Sequence, residues 1–174
     1  MWIIILLLFF SPYSYGQVVI AYIEMKDHSG RPLQLEPNGR FAHMAIFYQN
    51  KWLHAHPYRG VELITEEQLR QIGTPVKVTY DFVNGLAEND VKKYMQYTYD
   101  NEMSWDSNEK LYCAELIGKL LKIEPLPMYF TLPVWNEMRK KSYGNLGLSP
   151  DDIYLIMQKR QRENKNQCKN VFIN

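Results

Sequence analysis

The sequence predicts an α+β domain in which a small antiparallel sheet packs against a helix opened by a cysteine. Three observations carry this expectation. The first half of the chain holds segments rich in Val, Ile, Thr and aromatic residues, separated by turn chemistry. Two of those segments are joined by Gln49-Asn50-Lys51, a plausible tight turn between antiparallel strands. Farther on, Leu116, Ile117, Leu120 and Leu121 are spaced for one buried helical face.

The elements follow in order. Gln17 to Met25 alternates loosely and is rich in Val and Ile, so it reads as a strand, and Lys26 to Pro32 is turn chemistry. A second strand covers about Arg40 to Tyr48, and Trp52 to His56 returns as a third, completing a hairpin. Gly60 to Ile64 is a short fourth strand. Thr65 is placed to cap a helix over Glu66 to Ile72, with acids in its first turn and Gly73 as its stop. Pro75 to Phe82 is a fifth strand, and a helix is expected over Glu88 to Gln96. Tyr97 to Lys110 is polar and without period, hence a loop. Tyr112 to Lys122 is helical and is ended by Pro125 and Pro127. Ser149-Pro150-Asp151-Asp152 combines a cap, a first-position proline and first-turn acids. After Met157 the chain becomes charged and amide-rich, which predicts a loose tail.

The 174 residues suit one domain and leave little room for a second core. A formal net charge of +1 supplies no global field for nucleic acid or an anionic surface. Met1 to Phe10 is a short apolar run, followed by Ser11-Pro12 and by small residues at Ser14 and Gly16. This pattern reads as a secretory leader over residues 1–16, cleaved before Gln17, although no Lys or Arg precedes the run. The run is about half of what a helix needs to cross a bilayer. The expected organisation is therefore leader, a domain over residues 17–160, and a charged tail over 161–174, in a secreted or periplasmic protein.

Tyr112-Cys113-Ala114-Glu115 sits where a polar loop becomes a helix. Thiolate is the reactive form of cysteine, and free amides at a helix start favour it and can also hold an oxyanion. Cys113 is thus a candidate nucleophile. His43 lies in the otherwise apolar Phe41 to Phe47 segment, where an imidazole is costly unless hydrogen-bonded. His54 and His56 follow. A two-residue loop at Gln49-Asn50 would set His43 opposite His56, with His54 one pair along on the same face. Thiol, base and a group orienting the base make an activated nucleophile. Other uses of these residues are a tetrahedral zinc site on His43, His54, His56 and Cys113, or a Cys113–Cys168 disulfide stapling an exported binding module for peptide or glycan.

Taken together, His43-Met-Ala-Ile, Trp52-Leu-His54-Ala, Tyr97-Thr-Tyr-Asp100 and Tyr112-Cys-Ala-Glu-Leu-Ile117 resemble circularly permuted NlpC-type, YiiX-like cysteine hydrolases. These are papain-like and related to the lecithin:retinol acyltransferase group. The resemblance covers roughly Ala42 to Ile123. It implies a permuted papain-like domain with catalytic Cys113, His43 and His54, no cofactor and no metal. It also implies acyl transfer onto Cys113 from an amide in cell-wall peptides or from an ester or amide of a lipid. Two departures stand out. Many relatives carry Glu where this chain has His54, which leaves His56 as a rival third group, and Ala114 replaces a common Ser. The resemblance offers no role for Cys168, and it weakens the disulfide reading. Glu115 and Tyr112 match family positions without an assigned catalytic part.

Overall fold

A computed structural model describes residues 15–83, 85–129 and 144–171 of the chain. Most of the predicted leader, residues 1–14, lies outside them. Its last two residues, Tyr15 and Gly16, instead begin strand β1 (Tyr15–Lys26) and pair with the last strand of the main sheet. The other elements are β2 (Pro32–Leu33), β3 (His43–Tyr48), β4 (Lys51–His56), β5 (Gly60–Ile64), α1 (Glu66–Ile72), β6 (Thr74–Val83), α2 (Glu88–Tyr94), β7 (Thr98–Tyr99), β8 (Lys110–Leu111), α3 (Cys113–Leu120), β9 (Leu126–Pro127), β10 (Leu146–Gly147) and α4 (Pro150–Val171). The domain is α+β, built on an antiparallel sheet.

In that sheet β6 pairs with β1, β1 with β3, β3 with β4 and β4 with β5, each antiparallel. Alternation along the strands sorts the side chains into two layers. Ile20, Tyr22, Met44, Ile46, Leu53 and Ala55 face α3 and α4 and form the larger core. On the reverse face Ala21, Ile23, Ala45, Trp52 and Ile64 pack with Leu69 of α1. The apolar stripe predicted for α3 is the face it buries: Leu116, Ile117, Leu120 and Leu121 are all inaccessible or nearly so.

Local chemistry sets the boundaries. Gln49 and Asn50 both adopt positive φ (47° and 62°), the primed turn that matches strand twist. Thr65 accepts from the Gln68 amide while the Gln68 side chain accepts from the Thr65 amide, a reciprocal cap on α1. Ser149 and Asp152 form the same exchange at the start of α4. The expected loose tail after Met157 is corrected: α4 continues to Val171. Gln, Lys, Arg and Glu dominate that stretch, and all four propagate a helix well once a capped, buried first turn has nucleated it. The Tyr97 to Lys110 loop is tied by a short parallel bridge, β7 to β8. It is pinned from within by buried Asp100, which accepts from the amides of Glu102 and Ser104 and from the Ser107 hydroxyl.

Candidate active site

His43 and His54 come together on the β3–β4 hairpin. His43 Nε2 stands 2.9 Å from His54 Nδ1, with the rings at 86° to one another. His54, fully buried, spends its other nitrogen on Glu62, whose Oε1 lies 3.1 Å from His54 Nε2. Glu62 is directly opposite His54 in the β4–β5 ladder. Arg59 closes the series, its Nε and Nη2 within 2.6–3.0 Å of the Glu62 carboxylate. Hydrogen bonds from Arg59 hold the Glu62 carboxyl below its ordinary range, burial opposing and His54 assisting.

The tautomers can be assigned from this network. An ionised Glu62 only accepts, so His54 Nε2 carries the hydrogen. Neutral His54 then presents a bare Nδ1, which accepts from His43 Nε2. His43 Nδ1 is left as a lone-pair base. Both rings are held neutral: burial pushes His43 down to about 3 and His54 down to about 4.

Cys113 is the first residue of α3, with Tyr112 at its cap position, and it carries a free, buried thiol. The disulfide to Cys168 is thereby corrected: Cys113 stands in the core, in contact with residues of β3 and β4, and bonds no second sulfur. The amides of Met44, Ala114 and Cys113 itself lie near its sulfur and favour the thiolate. Met44 is the residue after His43, but alternation along β3 sets the two side chains on opposite faces, and no hydrogen bond joins the Cys113 sulfur to the His43 ring, whose Nε2 is spent on His54. The expected depression of the thiol pKa is corrected as well. The three amides do pull it down, but burial outweighs them and pushes the thiol up to about 12.

The register explains why His43 meets His54 and not His56. The β3–β4 ladder runs through Tyr48↔Lys51, Phe47↔Trp52 and Ile46↔Leu53. Continued in step, it would set Met44 against Ala55 and His43 against His56. Instead the ladder stops at Ile46↔Leu53, and His43 reaches diagonally to His54. The expectation that His43 faces His56 is corrected for this reason. His56 is partly exposed, and its Nδ1 accepts from the Tyr58 amide. It holds the β4–β5 turn and does not bond His43.

Over the imidazoles opens a pocket of about 350 Å³, lined on its walls by Met25, Leu33, Leu35, Ile72 and Met103 and reaching His43, His54 and His56. Among the described residues no group of three or more His, Cys, Asp or Glu side chains is arranged to hold a metal ion. Nor is any helix long and apolar enough to cross a membrane.

Glu115 and Tyr112 do not join the relay. Glu115 is fully buried, and burial raises its carboxyl to about 8 against the pull of Lys119, 2.8 Å away. Tyr112 is buried with its hydroxyl accepting from the Leu148 amide at 2.9 Å. Sequence reasoning missed Glu62 and Arg59. The available signal was the distance from His56 to Gly60: a three-residue turn ending in a positive-φ glycine sets Glu62 across from His54.

No family model matches the chain, and no curated protein matches it. Among solved structures, the chain is similar to that of the metalloprotein yiiX from Escherichia coli O157:H7, at 17% identity, over 80% of this chain and 91% of that one, with a TM-score of 0.48.

Proposed function

We propose that this chain is an exported cysteine hydrolase of the permuted papain-like kind, cleaving an amide or ester through a thioester acyl-enzyme. The observation that carries the reading is the directed series Arg59–Glu62–His54–His43, which ends in a His43 Nδ1 without a hydrogen, on the residue before Met44, whose amide lies near the Cys113 sulfur. A hydrogen-bonded series of this kind, running from the surface to two buried rings, orients a base.

Cys113 and His43 start as a neutral pair. As the sulfur attacks the carbonyl carbon, His43 Nδ1 takes the thiol proton, an S–C bond forms and the carbonyl pair moves onto oxygen. The amides at the start of α3 lie beside the sulfur and are available to that oxyanion. His54 stabilises the new imidazolium through its Nδ1, and Glu62 through His54 Nε2. Collapse breaks the bond to the amine or alcohol, which leaves with the proton from His43. Water then adds to the thioester, giving its proton to His43, and the sulfur departs and recovers that proton. His43 acts as base and acid, Cys113 as nucleophile, and His54 and Glu62 as positioning residues. No cofactor enters the proposal.

Export rests on the apolar run Met1 to Phe10 and the small residues at Ser14 and Gly16. A secreted or periplasmic setting follows from the same reading.

Hydrolysis of a neutral acyl ester by the wild type, Cys113→Ala and Cys113→Ser proteins tests the mechanism. Loss of turnover in both variants, with unchanged circular dichroism, is the expected result. Full turnover by Cys113→Ser would contradict a thioester route.

A further inference from the structure

The segment 34–42 joins β2 to β3 and delivers His43, and the first turn of α4 fastens it. Asp151 accepts from the Arg40 amide with both carboxylate oxygens, at 3.0 and 3.1 Å, and from the Phe41 amide at 3.1 Å. Phe41 is buried, its ring against Tyr22 and Tyr154. Gly39 lies under the same carboxylate, where an added Cβ would meet Asp151 Oδ2 at 2.9 Å. The start of α4 and the segment before His43 are thus held together by one side chain and a close backbone approach.

That junction carries an excess of negative charge. Glu36, half-buried on the same segment, faces Asp152, Ser149 and Asp151. Asp152 is bound to the Ser149 amide and Asp151 to the two amides of the segment, so neither moves away without giving up a cap or the clasp. Arg40, the cation of the segment, is paired through its Nε with Glu24 of β1 and also steadies Asp151. Three carboxyls packed at one helix start cannot all ionise without cost. Burial and the two aspartates raise the Glu36 carboxyl to about 7, Ser149 opposing. Burial raises that of Asp151 also, while the Arg40 and Phe41 amides hold it down. Those amides favour an anionic Asp151, which leaves Glu36 as the group that keeps a proton.

We infer that segment 34–42 and the first turn of α4 form a pH-sensitive clasp, closed while Glu36 holds a proton and loosened when it ionises. In a released segment Glu36 ionises near its ordinary 4.5, and in the closed clasp near 7. Between those values the open form binds fewer protons. Closure is therefore favoured most below about 4.5 and weakens as pH rises toward 7. Leu35, beside Glu36 in sequence, forms part of the pocket wall over His43 and His54. Loosening the clasp moves both that wall and the entry to β3. The clasp is independent of the hydrolase reading.

Amide hydrogen exchange by NMR from pH 5 to pH 8, corrected for the intrinsic rate, tests this on the full chain. Protection of Arg40 and Phe41 should fall roughly ten- to a hundredfold over that range. The Leu116 amide of α3, which bonds the Tyr112 carbonyl in the core, reports global opening and should not share the fall. Glu36→Gln keeps the shape and removes the charge, so protection should stay level with pH. Asp151→Asn should lower protection of both amides already at pH 5, with Leu116 unchanged. Wild-type protection that is level across the range, a fall shared by Leu116, or an equal fall in Glu36→Gln overturns the switch. Full protection in Asp151→Asn overturns the clasp beneath it.

Discussion

His43 Nε2 stands 2.9 Å from His54 Nδ1, a diagonal contact across a β3–β4 ladder whose pairing stops at Ile46↔Leu53. A ladder continued in step would have set His43 against His56. The Met44 amide lies near the Cys113 sulfur at the same end of the hairpin.

Replacing Glu62 with Gln should reduce kcat to between a tenth and a hundredth, a smaller loss than the 10²–10⁴ expected for removing the base itself. The amide can donate as well as accept, so His54 is no longer held in one tautomer, and His43 Nδ1 loses its fixed lone pair. KM should change little. Nitrogen NMR of the two rings gives the tautomers directly, and an unaltered spectrum in Glu62→Gln would remove Glu62 from the relay.

The pH dependence of thiol reactivity follows from burial. With the Cys113 thiol pushed up to about 12, its thiolate fraction is small at neutrality and grows about tenfold per pH unit up to that value. Alkylation by iodoacetamide should therefore be slow at pH 7 and accelerate through pH 10. A rate already level from pH 5 upward would mean a preformed thiolate–imidazolium pair.

Acid should destabilise the fold from the histidine side. In the unfolded chain His43 and His54 protonate near pH 6.5, while in the fold they stay neutral until about 3 and about 4. Between those limits the unfolded state binds more protons, so stability falls as pH falls from about 6.5 toward 4. The melting temperature followed over that window should drop, and the double variant His43→Gln, His54→Gln should flatten the slope.

Glu115 acts in the opposite direction. Burial raises its carboxyl to about 8, so the folded state holds a proton that the unfolded chain releases above about 4.5. Stability conferred below that pH is lost as pH rises through 8. Glu115→Gln should consequently raise the melting temperature at pH 9 and have little effect at pH 5. Equal effects at both pH values would contradict a protonated Glu115.

Gly60 connects the relay to the rest of the fold. Its φ is +74°, and an added Cβ would meet the Tyr97 carbonyl oxygen at 2.5 Å. Gly60→Ala should cost about 1–3 kcal/mol from backbone strain, with the clash adding to it. It should also lower activity by moving Arg59 and Glu62. Chemical denaturation measures the first effect and ester turnover the second.

Much of this arrangement could be read from local chemistry. Gln49-Asn50 specified its turn, Thr65 and Ser149 specified their caps, and the stripe on α3 specified the face it buries. That turn length set His43 and His54 on one sheet face, but their direct contact depends on where the ladder stops. What lay beyond reach depends on three-dimensional packing. The approach of the Met44 amide to the sulfur involves an element more than sixty residues away, and no pattern within β3 announces that its ladder will stop early. Glu62 looks like an ordinary solvent-facing strand residue until the short turn before it is counted. The rise in the Cys113 pKa comes from how deeply α3 sinks against the sheet, and a helix-start argument has no access to that depth. The continuation of α4 past Met157 escaped because polarity was read as disorder, although the same residues are good helix formers.

The central claim is that His43 activates Cys113. The measurement that tests it most directly is mass mapping after treatment of native protein with an acyl chloromethyl ketone. The account predicts one adduct per chain, on Cys113, with labelling lost in folded His43→Ala although the thiol remains titratable in denaturant. Equal labelling of Cys113 with and without His43, or an adduct confined to Cys168, would contradict it.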